Sequence, residues 1–394
     1  MLIAATELLA INPPTKVTGR QIAARAGVNH GQIHHYFGSK DGLVAATVTD
    51  GATRHGQLRR GADAFPLPID TAWRTPAWRT LAHLAATGRW RQPPFEPSPV
   101  VAALAERRAT DLGRTPGDVE VMADVAATVA LQRGWWIFRD MIETALQPFD
   151  PDMTAVRQRV AERSVNLIDQ RRPLAAVAAT TTDPVAGGRP IEPGPPKGPD
   201  QVRDRLLSAA ASLLADRPPT EVTTKEIAAV AGVNHGQIHH CFASKEHLIA
   251  QTVRRRSTAM LTAIDDGSVP FPVPIRTEGA RPMWRTLAHL AATEDWVKEV
   301  YYRSPVVARM VTTIAARSGR ATDDPDVHAQ AAAVHALDLG WAIYREIIEY
   351  GLAPTGGDLP AMRTRLAALS GRLVDPRVHQ PSRPAPTTSE GTTR

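Results

Sequence analysis

Two clusters of three histidines are the residues best suited to chemistry in this sequence. His30, His34 and His35 lie in the segment Val28–His35, and the same eight residues recur as Val233–His240. Histidines four residues apart share one face of a helix, so a metal site is one interpretation. No Asp, Glu or Cys accompanies the three histidines of the first segment. We therefore predict no metal at these histidines.

The two histidine segments belong to a repeat that runs through both halves of the chain. They are separated by 205 residues, whereas Trp78–Thr87 returns as Trp284–Thr293 with an offset of 206. An offset that changes by only one residue over half the chain indicates two copies of one unit.

The stretch between the copies has the composition of a linker, since it is rich in proline and glycine. Each copy has Ala, Leu, Arg and Glu at spacings of three and four, which predicts an all-α fold. The predicted divisions are a helix-turn-helix domain at 1–47, a helical body at 48–172, the linker at 173–199, a second helix-turn-helix domain at 200–252, a second body at 253–375 and a disordered tail at 376–394.

The start of the second copy has the pattern of helix, glycine turn and helix. A helix is predicted from Asp200 to the prolines at 218 and 219, and the next one begins after Thr223 with Glu226 in the capping-box position. Gly232 ends it, and Asn234 can cap a third helix. In the first copy the matching first helix is shorter and starts at Met1, so we expect the native start codon to lie upstream.

These residues resemble the TetR family of bacterial transcription regulators. The matching positions are Ile22-Ala23, Ala26-Gly27-Val28, Asn29, Gly31, Ile33, Tyr36-Phe37, Ser39-Lys40-Asp41 and Leu43 in the first copy, and Ile227-Ala228, Ala231-Gly232-Val233, Asn234, Gly236, Ile238, Phe242, Ser244-Lys245-Glu246 and Leu248 in the second. The resemblance implies a DNA-binding head and a helical ligand-binding and dimerisation domain in each copy.

Family members generally act as homodimers, so the resemblance implies that the two copies pair within one chain as a pseudo-dimer and that a monomer is functional. Helices around 118–146 and 152–170 would pack against those around 326–352 and 359–374. The alternation of Met122, Val125, Val129 and Leu131 with polar residues is compatible with such a seam.

The resemblance also implies a set of DNA-contacting residues in and around the third helix of each copy. Tyr36 would contact phosphate, whereas Cys241 replaces it in the second copy. The two lysines either contact phosphate or are solvated, whereas the two threonines have two compatible roles, as helix caps and as donors to phosphate. Ile33, Phe37, Ile238 and Phe242 are expected in the core. The predicted DNA-binding residues are Thr18, Asn29, His30, Gln32, His34, His35, Tyr36, Lys40, Thr223, Asn234, His235, Gln237, His239, His240 and Lys245.

Aromatic residues that recur in both bodies are the candidates for a ligand pocket. Aromatic residues fill helical cores more often than they line pockets, and the two histidines among the candidates could equally be polar ligand contacts or hydrogen-bonded core residues. The candidates are Trp78, His83, Trp90, Phe95, Trp135, Phe138, Trp284, His289, Trp296, Tyr301, Trp341 and Tyr344.

Composition and motifs exclude several other classes. Cys241 alone cannot form an intramolecular disulfide or a four-cysteine zinc site. No apolar run is long enough to span a membrane and no secretory signal is evident, so we expect a cytoplasmic protein associated with the nucleoid. The sequence has neither a glycine-rich phosphate loop nor a nucleophile elbow, so no motif indicates an enzyme.

The sequence therefore predicts a DNA-binding regulator that needs no cofactor. The expected partners are double-stranded DNA with a pseudo-palindromic operator and a small apolar or aromatic effector that releases a repressor from it. The alternatives are a DNA-binding module without an effector and a ligand-dependent activator.

Overall fold

The computed structural model describes residues 1–58, 81, 85, 99–167, 196, 198–266, 286, 287 and 304–373, without 13, 15, 218 and 220. All regular secondary structure in these residues is helical, which confirms the all-α fold class. Almost all of the predicted linker, the predicted tail and large parts of both bodies lie outside them.

Each half begins with a group of four helices that we call a head. The first head contains α1 (Leu2–Ile11), α2 (Gly19–Ala26), α3 (Gly31–Phe37) and α4 (Lys40–Leu58). The second head contains α8 (Pro199–Asp216), α9 (Thr224–Ala231), α10 (Gly236–Cys241) and α11 (Lys245–Asp265). Helices α4 and α11 are continuous through the domain boundaries that the sequence suggested at 47 and 252.

Corresponding apolar residues form the cores of the two heads. Leu9, Ile22, Ile33 and Leu43 are buried in the first head, and Leu214, Ile227, Ile238 and Leu248 take their places in the second. Each helix thus contributes at least one inward-facing residue at the same position in both heads, so the two cores are built alike.

Phe37 is the exception among the predicted core residues. It is only partly buried, whereas its counterpart Phe242 is 2% exposed. The guanidinium of Arg203, on the longer helix α8, lies 4.6 Å from the centre of the Phe242 ring.

The described part of each body contains three helices at matching positions. These are α5 (Pro99–Leu112), α6 (Val119–Leu146) and α7 (Met153–Asn166) in the first body, and α12 (Pro305–Ser318), α13 (Pro325–Leu352) and α14 (Leu359–Arg372) in the second. The first and last residues of corresponding helices are 206 residues apart, which is the offset seen in the sequence of this region.

Helices α6 and α13 cross each other and form the seam between the two bodies. They also pack against the last helix of the opposite body, α14 and α7 respectively. The predicted seam residues Met122, Val125, Val129 and Leu131 are all buried. At the crossing, Gly134 and Gly340 bring the two backbones together, because a Cβ on either would overlap a carbonyl oxygen of the other helix.

Ion pairs at the edges of the seam repeat with the same symmetry. Arg159 on α7 pairs with Asp326 on α13, and the corresponding residues Arg365 and Glu120 pair on the other side. Reciprocal contacts of this kind are what a two-fold interface produces. No helix in the described part of the chain is long and apolar enough to cross a membrane.

Candidate nucleic-acid interface

Capping boxes stabilise the first turns of helices α2 and α9. The Thr18 hydroxyl accepts a hydrogen bond from the backbone N–H of Gln21, whose side chain accepts one from the backbone N–H of Thr18. Thr223 and Glu226 form the same arrangement in the second head, which confirms the predicted capping box. Each helix ends at a glycine with positive φ, 67° at Gly27 and 66° at Gly232, a conformation that favours glycine.

The third helix of each head presents polar side chains to solvent around a single buried isoleucine. Ile33 and Ile238 point into the core. The exposed residues on the opposite side are Gln32, His34, His35 and Tyr36 in the first head, and Gln237, His239 and His240 in the second. A short helix with one apolar anchor and an exposed polar face suits insertion into a major groove.

Asn29 and Asn234 fix the starts of these helices. The Asn29 Oδ1 accepts a hydrogen bond of 2.8 Å from the backbone N–H of Gly31, and Asn234 accepts one of 2.9 Å from Gly236. The predicted cap is therefore present, although His30 and His235 are the residues that immediately precede the helical turns. Both asparagines remain exposed.

The histidines pack against one another within each helix. The rings of His30 and His34 meet edge-on with centroids 5.6 Å apart, and His235 and His239 do so at 5.9 Å. No group of three His, Cys, Asp or Glu side chains in the described residues is arranged to hold a metal ion.

Lys40 and Lys245 take a structural role that the sequence did not predict. Lys40 Nζ donates to the carbonyl oxygens of Pro14 and Val17, at 2.9 and 3.0 Å, and Lys245 Nζ donates to Pro219 at 2.7 Å. Burial lowers the pKa of the Lys245 ammonium. The alternative of a simply solvated lysine is therefore wrong, because each ammonium donates to the turn between the first two helices of its head. Phosphate contact by these lysines stays a prediction.

The position after the two histidines differs between the heads. Tyr36 is 66% exposed and its ring lies edge-on to His35, with centroids 4.8 Å apart. Cys241 is half-buried, and its carbonyl oxygen accepts a hydrogen bond of 2.9 Å from Arg203. Only the first head therefore offers a phenol hydroxyl here.

Comparison with known proteins agrees with this geometry. A family profile described as "Bacterial regulatory proteins, tetR family" matches residues 2–47 and 206–252, which cover most of both heads. The HTH-type transcriptional repressor Rv3405c of Mycobacterium tuberculosis is 33% identical over 148 residues, which span 37% of this chain and 74% of that protein.

The chain belongs to the TetR family. The HTH-type transcriptional regulator Mb3439c of Mycobacterium bovis shows the same identity and coverage. The HTH-type transcriptional repressor KstR2 of Mycolicibacterium smegmatis is 39% identical over 64 residues, 16% of this chain and 31% of that protein. This TetR family chain is thus a DNA-binding transcriptional regulator and not an enzyme.

The described part of the TetR-like bodies contains four of the twelve pocket candidates. Trp135, Phe138, Trp341 and Tyr344 are all buried, with at most 4% of their surface exposed. The other eight, Trp78, His83, Trp90, Phe95, Trp284, His289, Trp296 and Tyr301, lie outside the described residues. Burial suits both a core residue and a pocket wall, so the pocket assignment stays a prediction.

Polar groups on the same helices as these aromatics were missed by sequence reasoning. The Arg133 guanidinium lies 5.3 Å from the centre of the Tyr344 ring across the seam. Burial lowers the pKa of His335 to about 4, which keeps the imidazole neutral at physiological pH, and raises the pKa of Asp338 well above its usual range. Their positions in the helical repeat could have suggested burial, but contacts across the seam depend on the fold.

Proposed function

We propose that this TetR family chain is a transcriptional repressor in which one polypeptide supplies both reading heads. The observation that carries the proposal is the pair of identical polar surfaces, Val28–His35 and Val233–His240, each presented around one buried isoleucine. Identical reading surfaces on two heads suit a pseudo-palindromic operator with half-sites about one helical turn, ~34–36 Å, apart.

The packing of α6 and α7 against α13 and α14 supports a pseudo-dimer in which one chain takes the place of two subunits. Covalent linkage removes the dependence of dimer formation on protein concentration. We therefore propose that a monomer is functional. We also place the protein in the cytoplasm at the nucleoid, where its operator is.

Effector release is the part of the proposal that concerns the body. An apolar or aromatic molecule bound among the buried aromatics would favour a body geometry that moves the heads apart, and linkage would then lower the affinity for DNA. The names of Rv3405c and KstR2 as repressors support the sign of regulation.

Footprinting on the DNA upstream of the encoding gene, combined with light scattering of the complex, tests the proposal. We expect two protected half-sites of related sequence and one chain per operator. Unrelated half-sites, or two chains per operator, would contradict it. Titration of the complex with an effector identified by tryptophan fluorescence should weaken DNA binding; tighter binding would instead indicate an activator or corepressor scheme.

A further inference from the structure

Residues 16–21 of the first head and 221–226 of the second lead into the second helix of each head. One residue of each segment lies beside the start of the third helix, α3 or α10, which we call the recognition helix. In the second head, His235 Nε2 is 2.9 Å from the Thr224 hydroxyl. In the first head the matching residue is Gly19, and a Cβ there would lie 2.8 Å from His30 Nε2. Because the start of a recognition helix faces the DNA, these segments lie where the phosphate backbone passes.

The charges of these two segments differ. The first has two exposed cations, Lys16 and Arg20, which form no ion pair within the described residues, and no acidic side chain. The second has an exposed lysine at 225 and two glutamates, at 221 and 226.

The second glutamate is ionised and paired. Arg217 donates to Glu226 at 2.8 Å, and this hydrogen bond with those from Thr223 lowers the pKa of Glu226 to about 2. Counting Arg217, the second segment has two cations and two anions. The net charge of the first segment is therefore more positive than that of the second by two, although the two segments occupy equivalent positions in the heads.

Two hydrogen-bonding groups differ in the same direction. The Tyr36 hydroxyl of the first head has no counterpart, since Cys241 stands there. The imidazole of His235 shares a hydrogen bond with Thr224, whereas His30 has no hydrogen-bond partner in the described residues. The first head therefore has more groups available to a phosphate.

The first turns of α8 do not compensate for this difference. They add Arg203 and Arg205, but also Asp200 and Asp204. The guanidinium of Arg203 donates to the Cys241 carbonyl oxygen and covers Phe242, so it serves the packing of the head.

We propose that the two heads bind DNA unequally, with Lys16, Arg20 and Tyr36 giving the first head the larger electrostatic share of operator affinity. The inference rests on the proposed function, since it presupposes that both heads bind one operator. The shared recognition segment gives both heads the same base preference, while the flanking residues set how strongly each one holds the phosphates.

Two matched double variants test this on a duplex of about 30 base pairs that the wild-type chain has selected from a random library. Lys16→Ala/Arg20→Ala removes two cations from the first head. Glu221→Ala/Lys225→Ala removes one anion and one cation from the second. Fluorescence anisotropy at several salt concentrations gives the affinity and its salt dependence, and circular dichroism melting checks that both variants fold.

We expect the first variant to lose about 10-fold or more in affinity and to reduce the slope of log K against log salt by about 2, because fewer counterions are released. The second should stay within about twofold with an unchanged slope. Equal effects of the two variants on affinity and slope would overturn the inference. Failure of the wild-type chain to select any duplex would instead count against the proposed function.

Discussion

Gly134 and Gly340 face each other where α6 and α13 cross, and neither position has room for a side chain. A Cβ on Gly134 would overlap the carbonyl oxygen of Ala336, and one on Gly340 would overlap that of Ala130. The two glycines occupy equivalent places in the repeat, so this close approach of the two described backbones is symmetric between the halves.

Replacement of Gly340 by alanine should destabilise the protein although alanine favours helices. Helix propensity alone would stabilise by about 1 kcal/mol, whereas overpacking at a backbone contact costs about 1–3 kcal/mol or more. We expect a melting temperature lower by several degrees, measured by calorimetry. Gly134→Ala is the matched variant and should behave alike; an increase in melting temperature for either would contradict the close approach.

Asp124 should make the stability of the first body depend on pH. Its carboxylate pairs with Arg108 at 2.6 Å, yet burial raises its pKa to about 6, above the ordinary value of 3.8. Between these two values the folded chain retains a proton that the unfolded chain loses, so stability falls as pH rises through this window. Asp124→Asn should lack this fall, which amounts to about 3 kcal/mol at most.

Urea unfolding of both proteins from pH 4 to pH 7 measures this difference. Asp118→Asn is the control with the opposite sign. Burial raises the pKa of the Asp118 carboxyl, but hydrogen bonds from the Glu120 backbone and from Arg114 outweigh burial, so the pKa is lowered overall. The stability that Asp118 adds is therefore lost as the pH falls. An equal pH dependence of wild type and Asp124→Asn would refute the assignment.

Gln32 and Gln237 should each specify bases in one half of the operator. Their amides are exposed on equivalent positions of α3 and α10, and a glutamine can bind adenine through two hydrogen bonds. We expect alanine at either position to cost about 1–3 kcal/mol of binding and to relax base preference in one half-site. Gln158→Ala, at an exposed site in the body, should leave DNA binding unchanged.

Selection of operators by each variant from a random library gives the readout. Loss of preference in both half-sites after a single substitution would show that the heads do not read separately. Unchanged preference would place base recognition on the histidines.

Thr18 allows helix capping and phosphate contact to be separated. Thr18→Ala removes the cap and should lower the free energy of unfolding by about 1 kcal/mol. Thr18→Asp keeps a capping oxygen but adds a negative charge beside the phosphates, so it should fold normally and bind DNA more weakly. Chemical unfolding and anisotropy measure the two effects, with Thr18→Ser as the control. Normal DNA binding by Thr18→Asp would restrict Thr18 to the cap.

The local features of the heads were predictable from sequence because they depend on neighbouring residues. The capping box of Thr223 and Glu226, the left-handed turn at Gly232 and the buried Ile238 all follow from short-range patterns. Phe37, predicted as a core residue, packs against the core but is only partly buried, whereas Phe242 is also covered by Arg203 from another helix, a contact that local patterns do not predict.

Contacts between distant parts of the chain were not predictable in the same way. Lys40 lies at a position that was predicted to contact DNA phosphate, but its ammonium donates to carbonyl oxygens more than twenty residues earlier in the chain. The pair of Arg108 and Asp124 has no counterpart in the second copy, where Ile314 and Gln330 stand. Such pairings depend on how helices pack, which a single sequence does not reveal.

The contact of Arg133 with Tyr344 shows what a single polypeptide allows at such a seam. In a homodimer every substitution appears twice, and a buried guanidinium on the axis would bring a second one with it. Here the corresponding residues are Leu339 and Phe138, so the cation is present once and meets one tyrosine ring. Two copies of the first half would bury two like charges together, so this contact makes the halves complementary to each other rather than to themselves.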